Sequence, residues 1–172
     1  MVLLLKNVLF TLVVPGIFVG WLPLRVFERR ARWPAEMQPE HWAGLSAVVA
    51  GLVAYLHCVW QFQHRGRGTP FLLDPPHHLV QRGLYRWVRN PMYLAVLAVV
   101  GGQAVFLVSW HIAIYWVCLA CLFQVFVHLY EERDLSFRFG AMYEDYRREV
   151  PRWLPRRPRP APQPTALDGR ER

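Results

Sequence analysis

Glu131 and Glu132 stand side by side at the end of a forty-residue stretch, 91 to 130, that contains no Asp, Glu, Lys or Arg. Carboxylates at the edge of an apolar run are costly unless used, and what they can do is hold a cation or take up a proton. Gln124 and His128 precede them at helical spacing, so on a regular helix all four share one face through the last two turns. His128 is a second group able to accept a proton there. A helix C-terminus disfavours negative charge, so the pair calls for a cation nearby, either Arg89 or a cationic ligand. Arg89 belongs to a second cluster, Gly83-Leu84-Tyr85-Arg86-Trp87-Val88-Arg89-Asn90-Pro91-Met92-Tyr93. Pro91 suits the first position of a helix, with Asn90 as its N-cap and free amides that favour an anion. Each cluster also has a plain structural reading. The first could be a solvated helix end in which His128 pairs with a glutamate, and the second a basic, capped helix entry with interfacial aromatics.

The elements that must carry these residues follow from the charge-free stretches. Residues 91 to 130 are long enough for two membrane spans joined by a tight turn near Ser109 and Trp110, and residues 42 to 62 make another. Residues 2 to 24, interrupted only by Lys6, make a fourth candidate, with a cleaved signal peptide as its alternative. Pro15 and Pro23 are tolerable there as a kink and near an end. After residue 130, Leu135, Phe139, Met142, Tyr143, Tyr146 and Val150 recur at spacings of three and four. Asp134, Arg138, Asp145 and Arg148 occupy the other face. Gly140 should divide this amphipathic segment in two. The expected fold is therefore an all-α integral membrane protein of about four transmembrane helices, with an amphipathic segment at the cytoplasmic face. Residues 1–150 form one domain. From Pro151 onward six prolines and several arginines imply a tail, disordered or extended on the membrane surface.

The net charge of +8 comes from 19 Arg and one Lys against 12 acidic residues. Topology explains it better than nucleic acid does. Four spans put Lys6, the loop from 63 to 90 and the C-terminal region on one side, with 16 of the 20 basic residues. That side, which also holds both polar clusters and the C-terminus, should be cytoplasmic. Arg25, Arg29, Arg30 and Arg32 lie on the other side, partly balanced by Glu28, Glu36 and Glu40. Cys58, Cys118 and Cys121 all fall in apolar spans, without a disulfide framework or partner cysteines for zinc, and read as packing residues. No metal is expected, because only His77-His78 and His128 lie near polar partners. Gln103 reads as glue between helices. Gly66-Arg67-Gly68-Thr69-Pro70 lacks the strand and helix context of a phosphate loop.

Taken together, these pieces resemble the isoprenylcysteine carboxyl methyltransferase and phospholipid N-methyltransferase superfamily. The resemblance runs from about Gly66 to Pro155. It comprises Gly66 to Pro70, Leu79-Val80, Gly83 to Arg86, and Val88-Arg89-Asn90-Pro91-Met92-Tyr93. After one helical hairpin come Leu129-Tyr130-Glu131-Glu132, Leu135, Phe139-Gly140, Tyr143, Tyr146 and Val150-Pro151-Arg152. Asn90 stands where the carboxyl methyltransferase pattern usually has His. The resemblance implies S-adenosylmethionine as cofactor, held by Arg89, Asn90, Pro91, Tyr93, Glu131 and Glu132, with Tyr85 and Tyr143 as aromatic walls. Arg89, Glu131 and His128 are the catalytic candidates. It implies an acceptor that is lipophilic or lipid-like: a prenylcysteine carboxylate, a phospholipid amine or a small lipophilic thiol. Membrane lipids would be the remaining partners, and nucleic acid none. Lateral entry of the acceptor would pass Trp60, Phe62 and Phe71. Two rivals remain at this point: a membrane sterol-type reductase, and a non-catalytic bundle that binds lipid or a partner protein.

Overall fold

The computed structural model describes residues 15–27, 34, 36–66 and 79–157, and every described element is helical. A π-helical turn, Gly16–Trp21, leads into α1 (Leu22–Phe27). Helix α2 spans Pro39–Gln61, close to the expected 42 to 62, and continues as a π-turn over Phe62–Gly66. A short 3₁₀ turn, Gly83–Arg86, precedes α3 (Pro91–Phe106). Helix α4 (Trp110–Phe126) runs through a π-turn, Val127–Glu131, into α5 (Glu132–Phe139), and α6 covers Ala141–Glu149.

Among the described residues, two helices are long and apolar enough to cross a bilayer: Pro39–His64 and Trp110–Phe139. The 16 residues of α3 reach only about 24 Å, short of a ~30 Å hydrocarbon core. The third expected span is thus shorter than its charge-free stretch. Val108 takes a left-handed φ of 46° and Ser109 caps α4 by accepting from the Ile112 amide, so the chain reverses as soon as α3 ends. Of the first expected span only residues from 15 onward are described. The loop residues 67–78 with Phe71 and His77-His78, and the tail beyond Arg157, also lie outside the described residues.

The bundle is built on α3. Helix α2 packs along one side of it and α4 along the other. The first contact is close because glycines allow it. A Cβ on Gly44 would fall 2.5 Å from the Phe106 backbone nitrogen, and one on Gly102 would fall 2.7 Å from the Gly44 carbonyl. Small residues let helix backbones meet in this way inside membranes. The outward faces of α2 and α4 carry exposed Val49, Leu52, Val53, Leu56, Val117, Leu122 and Val125. An apolar surface of that kind suits lipid and not water.

The N-terminal helix is fastened by its own irregularity. The Leu22 amide reaches back five residues to the Ile17 carbonyl, and the next residue, Pro23, has no amide proton to give. Carbonyls in this turn are therefore available to neighbours. Tyr115 of α4 donates its hydroxyl to the Phe18 carbonyl at 2.8 Å, and Gln103 of α3 donates its side-chain amide to the Val19 carbonyl at 2.9 Å. Gln103 is interhelical glue, and its partner is backbone.

Candidate active site

Gly83 starts the site from the loop side. Its φ is +62°, and a Cβ there would lie 2.6 Å from Gln61 Nε2 and 2.8 Å from His57 Nε2, so the turn leans on the end of α2 only as glycine. The following turn buries Tyr85, whose carbonyl accepts the Tyr146 hydroxyl at 2.7 Å. Two residues before α3, the Arg89 amide donates to the Pro151 carbonyl at 2.9 Å. Pro91 opens α3 as expected. Asn90 occupies the cap position but makes no side-chain cap, because its Nδ2 donates instead to the Arg152 carbonyl at 3.2 Å.

The other half comes from the end of α4. A π-turn holds one residue more than an α-turn, so the helix beyond it is rotated by up to the ~100° that one helical residue spans. That rotation separates residues expected to share a face. Glu132 is 6% exposed, whereas His128 and Gln124 are exposed on the outer side. His128 does not line the cavity that the other site residues border, and its Nδ1 is 3.5 Å from Arg152 Nη2. Gln124 accepts the Trp153 indole N–H at 2.6 Å.

The two halves meet through charge. Arg89 Nη1 donates to Glu132 Oε1 at 2.7 Å, with both side chains under a tenth exposed, and to the Tyr143 hydroxyl at 3.2 Å. Arg152 forks onto the same carboxylate, Nε to Oε1 at 2.9 Å and Nη2 to Oε2 at 2.6 Å. The cation called for by the helix dipole is therefore Arg89, joined by an arginine that sequence reasoning left in the tail. Its signal was present, since Arg152 stands in the Val150-Pro151-Arg152 motif. Tyr93 donates its hydroxyl to Glu131 Oε2 at 2.7 Å. Burial pushes the Tyr85, Tyr143 and Tyr146 phenols up from their ordinary range.

These groups border a cavity of about 390 Å³. Of the cofactor-binding candidates, Tyr85, Arg89, Asn90, Tyr93, Glu131, Glu132 and Tyr143 line it. Pro91 does not, being buried behind them as the first residue of α3. At the opposite end the walls are apolar: Val19, Tyr55, Val96, Leu119 and Phe123. From Glu131 back to Leu119 is about 18 Å of helix, so the cavity runs from the polar rim well into the bundle. Phe62 lines it, whereas Trp60 stands exposed on the outside of α2, and Phe71 is outside the described residues. The deep walls were not legible in the sequence because one apolar residue in a span looks like another.

A profile of the family described as phospholipid methyltransferase matches residues 39–142. Among known proteins, methanethiol S-methyltransferase 2 of Bradyrhizobium diazoefficiens is 39% identical over 81 residues, which is 42% of this chain and 27% of that protein. The match thus spans about a quarter of the relative's length. No solved structure matches.

Proposed function

This chain belongs to the phospholipid methyltransferase family, whose profile covers more than half of it, and we propose that it transfers a methyl group from S-adenosylmethionine to a lipophilic acceptor at the membrane surface. The observation that carries this reading is the two-ended cavity, with carboxylates and arginines at one end and apolar walls at the other. The donor fits the polar end. Arg89 Nε is buried there without a partner among the described residues, an N–H suited to an anionic group such as the donor's carboxylate. Glu131, held by a neutral phenol, suits a cation. The tyrosines offer faces for the adenine.

When bound, the donor supplies a methyl group on a positively charged sulfur, activated for in-line displacement. The chain's own residues supply alignment and a dry wall, which govern such a reaction. A thiol or amine acceptor must also lose a proton. Glu131 is the group we assign to take it, because Tyr93 fixes the carboxylate through Oε2 alone. Among the acceptors, the name of the bacterial relative favours a thiol, and the apolar end of the cavity favours one that carries an alkyl chain. We place the polar end on the cytosolic side, from the basic surplus around it. The acceptor then comes from the bilayer between α2 and α4, which both pack on α3.

The test is methyl incorporation by purified protein in bilayers, with alkanethiols and matched lipid amines of increasing chain length. Turnover should rise with length until the acceptor partitions fully. A flat series, with the shortest water-soluble acceptor fastest, would show that the site opens to the cytosol alone.

A further inference from the structure

We propose that residues 150–156 are a strap that sets the position of both glutamates, with Arg152 as its positioning residue. The proposal rests on the methyl-transfer reading only for the identity of the ligand. Proline and arginine content alone would leave this stretch loose on the surface. Instead the Pro151 carbonyl accepts the Arg89 amide at 2.9 Å, the Arg152 carbonyl accepts Asn90 Nδ2 at 3.2 Å, and the Arg156 amide donates to the Trp87 carbonyl at 2.9 Å. Val150 is buried against Tyr143 and Tyr146. Four consecutive residues of the loop before α3, Trp87 to Asn90, are thereby bracketed by the strap.

From that anchored backbone two side chains reach the site. The Arg152 guanidinium takes both oxygens of Glu132, at 2.9 and 2.6 Å, which fixes the plane of the carboxylate as a single ammonium could not. Trp153 donates to Gln124 Oε1 at 2.6 Å and sets its ring edge-on to Tyr93, 6.4 Å away, and Tyr93 in turn holds Glu131. One segment thus governs Glu132 directly and Glu131 through one intermediary.

The arrangement also assigns the poles of the site. Arg89 and Arg152 bring two positive charges to Glu132's one negative charge, so this trio is net positive. Glu131, on Tyr93, carries the negative end. An anionic part of a ligand therefore belongs at Arg89 and a cationic part at Glu131. Asn90, standing where the related pattern has His, is a strap anchor in this chain.

The experiment compares the full-length protein with R152A and R152K in detergent. Each is titrated with S-adenosylhomocysteine, and amide hydrogen exchange is followed without ligand over residues 86–90 and 150–157. R152A should lose tenfold or more in affinity and lose protection at Arg89 and Arg156. R152K should remain severalfold weaker than the wild type, because its charge is kept and the fork is not. Wild-type affinity and protection in R152A would overturn the proposal, as would full rescue by R152K, which would reduce the role to charge. If R152A aggregates, R152K carries the comparison alone. If the wild type fails to bind the nucleoside, the methyl-transfer reading falls. The strap then stands or falls on whether exchange at residues 86–90 quickens in the variant.

Discussion

At the scale of single residues the site is a set of pairings across long stretches of chain. Tyr93 meets Glu131 over 38 positions and Arg89 meets Glu132 over 43. Both carboxylates and Arg89 were legible from the cost of placing charge beside an apolar span, since that cost demands a compensating partner. Which glutamate takes which partner was not legible, because adjacent residues on a helix point about 100° apart and only the final register decides. Tyr93→Phe removes a hydrogen bond to an ionised group, about 1.5 to 3 kcal/mol, so methyl transfer should fall tenfold or more with unchanged helicity. Steady-state turnover and circular dichroism check this together, and undiminished turnover would remove Tyr93 from the mechanism. Glu132→Ala should be the more disruptive of the two buried-pair variants. It strands two arginines, whereas Arg89→Ala leaves Glu132 in the fork of Arg152. Breaking a buried pair costs about 3 to 5 kcal/mol, so a lower melting temperature for Glu132→Ala than for Arg89→Ala is expected. The reverse order would mean that Arg152 holds Glu132 weakly.

At the scale of elements, regular helices were readable from charge-free length, and the departures from regularity were not. The span at 42 to 62, the entry at Pro91, the turn at Ser109 and the break at Gly140 all follow from local chemistry: apolar length, a proline without its donor, a hydroxyl cap, a residue free to take φ of 51°. The π-turn at Val127–Glu131 leaves no such mark, and beyond it Glu132 is buried while His128 within it is exposed. Deleting Leu129, an exposed residue that does not line the cavity, should restore α-register and swing both glutamates away. Helix content is expected to be retained while activity falls by about a hundredfold or more, the scale on which misplaced catalytic groups are felt. Activity within a few-fold of the wild type would show that the turn does not set the site.

At the scale of the whole molecule, a lipid-compatible exterior surrounds a cavity that is polar at one end and apolar at the other. That combination favours the proposed enzyme over a bundle that merely binds anionic lipid, which has no use for buried carboxylates facing a cavity. It does not by itself separate methyl transfer from reduction, since a reductase also joins a polar cofactor to an apolar substrate. The charges bear on this without deciding it. Glu131 beside Tyr93, with Arg89 nearby, suits the cationic and anionic parts of a zwitterion carrying an extra positive charge, whereas a dinucleotide brings phosphates for the two arginines and no cation for Glu131. Calorimetric titration of detergent-purified protein with S-adenosylmethionine, S-adenosylhomocysteine and NADPH is therefore the decisive measurement. Saturable heat with the first two, at comparable affinity because most of their atoms are shared, and none with NADPH is the expected result; saturable binding of NADPH without either nucleoside would contradict it.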